Sequence, residues 1–153
     1  MSRRSRAREV ALQALHQLEF NEPVDAAAGE RRRLGFLRGR LRSPALVDFA
    51  ESLVAGVRGH LAALDTTLDA LSSNWRVSRM AATDRTVLRL AAYELLHTDT
   101  PGPVVVDEAI ELARRYGSAA SPRFVAGLLG GMLAERSPPG ERTVALLELF
   151  AKT

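Results

Sequence analysis

The chain has no cysteine, a single lysine (Lys152) and few aromatic side chains, with five Phe, two Tyr and one Trp in 153 residues. Without thiols there is no disulfide framework, no thiolate zinc centre and no cysteine nucleophile. Long apolar runs are missing too, none approaching the roughly 20 residues of a membrane-spanning helix. The charged N-terminus lacks the apolar core of a secretory leader, so a soluble cytoplasmic protein is expected. Histidine is scarce: His16, His60 and His97 fall on different predicted helices, with no His-x-x-x-His or Glu-x-x-His spacing, and no metal site is expected. Gly127, Gly130 and Gly131 follow no strand and carry no lysine, unlike a phosphate loop. Asp107, Glu108 and Glu111 read as a solvated face, with Glu111 in ion-pair reach of Arg114 or Arg115. No enzyme signature remains, and no cofactor is expected.

What is present suits one globular domain. Apolar residues make up 46% and charged residues 25%, close to the average of soluble domains. A chain of this length buries about 70% of its unfolded surface. Charge is placed unevenly. Residues 1–42 hold ten arginines against five acids, a net of +5, whereas residues 43–153 carry a net of −2. The N-terminal part therefore suits an anionic partner.

The apolar pattern is helical nearly throughout. Ala7, Val10, Ala11, Ala14, Leu15 and Leu18 form one stripe, capped by Ser2 or Ser5 and ended by Asn21-Glu22-Pro23. Residues 24–42 read either as a short helix or as a mobile basic loop. Ser43-Pro44 opens a stripe of Leu46, Phe49, Ala50, Leu53, Val54, Val57 and Leu61, which Leu64, Leu68 and Leu71 continue after a bend near Gly59. Val87, Leu88, Leu90, Ala91 and Leu95 are apolar around much of their helix, which makes it central. Thr98 to Pro103 is a break. Pro103 then starts a helix through Val106, Ala109, Ile110 and Ala113, with Gly117 placed as a left-handed stop. Ser121 as cap and Pro122 as first-turn proline open another, carrying Phe124, Val125, Leu128, Leu129, Met132 and Leu133, and a short amphipathic segment spans 143–152. Val104 to Val106 is too short to argue for a strand. The expected fold is all-α, with six to seven helices.

Arg3, Arg4, Arg6 and Arg8 form the densest basic cluster at the N-terminus. Arg4 and Arg8 are one turn apart and are expected to stand off the apolar stripe. Guanidinium groups bind phosphate bidentately and stack on bases, and short arginine-rich segments order on RNA.

Four blocks carry a family resemblance. The run Arg4–Leu18, RSRAREVALQALHQL, resembles the opening of the bacterial transcription antitermination factor NusB family. DRTVLRLAAYELL from Asp84, preceded by Trp75 and Arg79, resembles a second block of that family; PVVVDEAIELARRYG from Pro103 and FVAGLL from Phe124 follow in family order. The resemblance implies two small packed helical bundles. It places a single RNA-binding domain over 1–137, with a basic arm at 1–8, an N-terminal bundle at 5–72 and a C-terminal bundle at 75–137. An extra helical tail covers 138–153. It also implies binding of boxA-type single-stranded RNA, partnership with the ribosomal protein NusE and the RNA polymerase antitermination complex, and no cofactor. Some members self-associate as homodimers.

Carried over residue by residue, the family's RNA contacts map to Arg4, Arg6 and Arg8, to His16 in place of an aromatic, and to Phe124, for which a core position competes. The acid facing NusE maps to Asp84. Three departures stand out: Ala126 replaces an asparagine, Ala120 an aspartate and Pro122 a histidine. They put boxA specificity in question and motivate an alternative, a diverged paralogue that serves as a protein-interaction module. A third reading, the RNA-targeting domain of an RNA cytosine methyltransferase, needs a separate methyl-donor region. About four arginines on single-strand phosphates give a log–log salt slope of roughly −3.

Overall fold

The computed structural model describes residues 1–21, 25–136 and Ala151. Among them the chain forms seven α-helices, one 3-10 turn and no strand. The helices are α1 (Arg3–Phe20), α2 (Ala26–Arg40), α3 (Pro44–Gly59), α4 (Leu61–Leu71), α5 (Ala82–His97), α6 (Gly102–Tyr116) and α7 (Ser121–Arg136), with the 3-10 turn at Val77–Arg79. No helix of the described residues is long and apolar enough to cross a membrane. The segment 143–152 and the proposed tail lie outside the described residues, Ala151 apart.

The helices group into two compact units, one of residues 1–59 and one beginning at His60. That division precedes the boundary expected near 72–75. The continuous stripe from Leu46 to Leu71 conceals the break at Gly59, and α4 packs on α5 and α7 in the second unit.

In the first unit α1 lies along α3, and α2 touches both. Ser2 caps α1, its Oγ accepting the Ser5 N–H at 3.0 Å; such a cap is worth about 1 kcal/mol. Ala7, Val10, Ala11, Ala14 and Leu15 are buried as their spacing requires, and Ala50, Leu53, Val54 and Val57 of α3 are buried with them. Within the stretch 24–42, Ala26–Arg40 forms a helix: the Asp25 carboxylate accepts the Ala27 N–H at 3.1 Å, and Leu37 is fully buried. Arg33 ties α2 to α3. Its Nε lies 2.9 Å from Glu51 Oε2 and its Nη2 2.6 Å from Oε1. These hydrogen bonds raise the Arg33 pKa above the usual arginine range, against the opposing pull of burial.

In the second unit α5 is central as expected, packing on α4, α6 and α7, while α6 and α7 pair closely. Val87, Leu88, Leu90, Ala91, Ala92 and Leu95 are buried around most of its circumference. Each large aliphatic side chain so buried contributes about 1.5–3 kcal/mol. Arg89 holds Asp65 of α4 through two 2.8 Å bonds, and the Asp69 carboxylate accepts the Val77 N–H at 2.7 Å, fixing the 3-10 turn.

Two local expectations are corrected here. Gly117 ends α6 in extended backbone (φ −92°, ψ −168°), not in the left-handed conformation. Proximity is what demands glycine, since a Cβ at Gly117 would stand 2.5 Å from Ser121 Cβ and 2.7 Å from the Ala113 carbonyl oxygen. Ser121 is the first residue of α7 and not its cap. Its N–H donates to the Ser118 carbonyl at 3.1 Å, and its Oγ accepts the Ser118 N–H at 2.9 Å.

Candidate nucleic-acid interface

Helical position decides which arginines of α1 reach water. Arg4, Arg8, Ala11 and Leu15 recur at i, i+4, i+7 and i+11, on one line of the helix. Ala11 and Leu15 belong to the core, so this line carries Arg8 inward, leaving it 4% exposed. Its guanidinium sits 5.2 Å from the Phe49 ring centroid, and that of Arg4 sits 4.7 Å from the same ring. Arg4 stays exposed at the helix start, as does Arg3. The expectation that Arg4 and Arg8 both stand off the apolar stripe is therefore corrected for Arg8, which is a buried cation over an aromatic face.

Arg6 lies on another side of α1. It is 43% exposed at its side chain and pairs with the nearly buried carboxylate of Glu9. Arg6, Gln13, Gln17 and Phe20 recur at i, i+7, i+11 and i+14, with His16 alongside. His16, Gln17 and Phe20 are exposed, and the His16 and Phe20 rings stand 5.0 Å apart, tilted by 60°. The outward face of α1 thus offers a partly shared guanidinium, two amides and two rings. Phe20 was missed in the sequence, although its i+4 spacing from His16 was the available signal. Phe49 was read only as part of an apolar stripe.

In the second unit Phe124 is half-buried near the start of α7, outside the buried set formed by Val125, Leu128, Leu129 and Met132. It lines an open depression of about 760 Å³ together with Arg114, Ser118, Ala120 and Arg123. Ala120 is exposed there, whereas Ala126 is fully buried. The departure at position 126 is therefore a core matter, whereas Ala120 and the half-buried Pro122 both alter the surface beside Phe124. Asp84 lies in the first turn of α5, half-buried, and its buried Oδ1 has no hydrogen-bond partner among the described residues. An acceptor so placed costs free energy until a donor meets it.

Among the described residues no three His, Asp or Glu side chains are grouped as a metal ion needs. The fold does unite two histidines separated in sequence: the His60 and His97 rings stand 4.3 Å apart, and Tyr93 stacks on His97 at 5.2 Å.

Known proteins share this chain's sequence and architecture. The family model described as the NusB family matches residues 5–134. A transcription antitermination protein NusB of Anaeromyxobacter dehalogenans (strain 2CP-1) is 47% identical over 142 residues, covering 92% of this chain and 96% of that relative. Among solved structures, T. maritima NusB matches with a TM-score of 0.73 at 33% identity, over 94% of this chain and 97% of the other. A crystal structure of antitermination factors NusB and NusE in complex with dsRNA matches with a TM-score of 0.70 at 21% identity, over 84% of this chain and 94% of that one, a likeness of fold. With the family model spanning all seven helices nearly end to end, the chain belongs to the NusB family.

Proposed function

We propose that this chain is a non-enzymatic RNA-binding transcription antitermination factor, working in the cytoplasm on boxA-type leader RNA together with NusE and the RNA polymerase complex. Residues 1–137 serve as its RNA-binding domain. The observation that carries the reading is the outward face of α1, where half-exposed Arg6 shares a side with the adjacent rings of His16 and Phe20, while exposed Arg3 and Arg4 stand at the helix start. Guanidiniums hold phosphates and exposed rings stack on unpaired bases, which is how single-stranded RNA is gripped. Phe124, in its open depression, is a second stacking surface. The NusB of the complex structure assembles with NusE and dsRNA, which supports the partners assigned here. The orphaned Asp84 Oδ1 supports a partner donor at the start of α5.

Because Arg8 is withdrawn into the protein, Arg3, Arg4 and Arg6 carry the phosphate contacts. The expected log–log salt slope on a short boxA-type RNA is then about −2. The test is binding of boxA-type against scrambled RNA, with and without NusE, at two salt concentrations. A boxA preference that weakens with salt supports the reading. Salt-insensitive binding refutes it. Capture of NusE with equal affinity for scrambled RNA favours the protein-interaction module, a reading that the bare methyl of exposed Ala120 beside Phe124 supports.

A further inference from the structure

The arginines of α2 have no part in the face just described, yet they form the more open basic surface. Arg31, Arg32 and Arg38 are all exposed. None of the three meets a carboxylate among the described residues, whereas Arg33 is committed to Glu51 and Arg6 to Glu9. At 1.5 Å per residue, Arg31 to Arg38 spans about 10 Å along the helix. On the same face lie Gly35, between them, and Gly39, just beyond Arg38, and a Cβ at either would meet nothing within 4 Å. Glycine inside a helix is disfavoured against alanine, and here no neighbour requires it. The result is a bare backbone floor flanked by guanidiniums that meet no carboxylate among the described residues.

This face leads into a cleft between α1 and α2. Arg32 lines one side of it, Gln17 and Asn21 of the α1 end line another, and Phe36 and Leu18 supply its apolar wall. The cleft measures about 210 Å³. The Arg40 guanidinium lies 3.7 Å from the Phe36 ring centroid and covers one face of that ring. Two amides with a guanidinium at the rim offer an unpaired nucleotide base-edge hydrogen bonds and a phosphate partner, and Phe36 and Leu18 supply apolar contact.

We propose that α2 is a second RNA-backbone surface, on which Arg31, Arg32 and Arg38 hold phosphates of the single strand flanking the boxA-type element. The proposal rests on the RNA-binding reading above and extends its footprint. Arginine, unlike lysine, presents a planar fork suited to phosphate, and these contacts carry no sequence preference of their own.

The test compares the full chain with an R31Q/R32Q/R38Q variant on two probes, the boxA-type oligonucleotide alone and the same element with single-stranded flanks. All three side chains are exposed, so circular dichroism and thermal midpoint should match the parent. For the parent, the flanked probe should steepen the salt slope from about −2 to about −4, because three more phosphates are engaged at ~0.7 each. The variant should return to about −2 on the flanked probe, a loss on the order of 100-fold at 0.1 M salt. Preference for boxA over scrambled RNA should persist. An R31K/R32K/R38K variant, which keeps the charge, should recover most of the slope. Flanks that add nothing to a parent that binds boxA-type RNA, or a glutamine variant that binds the flanked probe like the parent, would overturn the α2 surface alone. So would a lysine variant that stays at the glutamine slope. A parent that binds neither probe would instead sink the RNA-binding reading itself. Vesicles containing phosphatidylserine serve as a further probe. Vesicle binding that is lost in the glutamine variant, with flanked-RNA binding unchanged, would overturn the proposal in favour of a membrane surface.

Discussion

Replacing Arg8 by alanine is expected to cost stability and leave the salt dependence of RNA binding nearly untouched, and Arg4→Ala should do the reverse. Arg8 is 4% exposed with its guanidinium 5.2 Å from the Phe49 ring. A desolvated cation over an aromatic face is worth about 2 kcal/mol, and truncation also removes the packed aliphatic stem. For a chain of this size each kcal/mol moves the thermal midpoint by about 2–4 °C, so Arg8→Ala should lower it by about 4–8 °C. Arg4 lies over the same ring but in solvent, where such a contact is worth about 0.5–1 kcal/mol. Its loss should lower the midpoint by only about 1–4 °C, yet it removes one phosphate contact and so about 0.7 from the salt slope. Thermal unfolding followed at 222 nm, paired with RNA titrations across a range of salt, separates the two effects. The reasoning fails if Arg8→Ala melts like the parent while flattening the salt slope as Arg4→Ala does. Arg8 would then have to leave its buried position to reach the RNA.

Gly117→Ala should destabilise the second unit by about 1–3 kcal/mol, since the added methyl meets Ser121 and the Ala113 carbonyl with little room to yield; urea unfolding reads this directly. Glu51→Gln should cost about 1–3 kcal/mol by leaving Arg33, whose side chain is 12% exposed, without its carboxylate. The Arg33 pKa is raised, so its contribution is fully present below the ordinary arginine range and is lost only as pH climbs beyond it. The stability gap between parent and Glu51→Gln should therefore stay constant between about pH 7 and pH 10, checked by urea midpoints across that range. Asp84→Ala should leave the thermal midpoint nearly unchanged, because its Oδ1 accepts nothing among the described residues. Capture of NusE should fall about tenfold, the worth of one hydrogen bond to a charged group.

The fold was legible because its helices follow a strong apolar period and are punctuated by proline. Ser43-Pro44 starts α3 where the sequence placed it, and the nearly all-round apolar stretch from Val87 to Leu95 marked the central helix. Residues 24–42 were ambiguous because α2 buries little beyond Gly29 and Leu37, so its apolar signal is weak. The wrong conformation at Gly117 came from a local rule: a glycine after a helix suggests a left-handed stop, while the real constraint is a neighbour four residues on. The candidate site was only partly visible. His16 entered through the family resemblance, and its exposure is read from the fold. The fate of Arg8 did not, because the line through Arg8, Ala11 and Leu15 was read from its apolar members, and the aromatic that receives the guanidinium lies on another helix. The meeting of His60 with His97 is likewise a product of tertiary structure.

Phe49 makes α3 an indirect participant in any grip on RNA. One ring receives both guanidiniums, so the helix that touches no nucleotide sets where the positive charge of its neighbour is displayed. Drift at this position would shift the arm without altering a single basic residue. Relatives that place an aliphatic side chain at the equivalent of Phe49 should also have surrendered the arginine equivalent to Arg8, an evolutionary covariation between two positions forty-one residues apart.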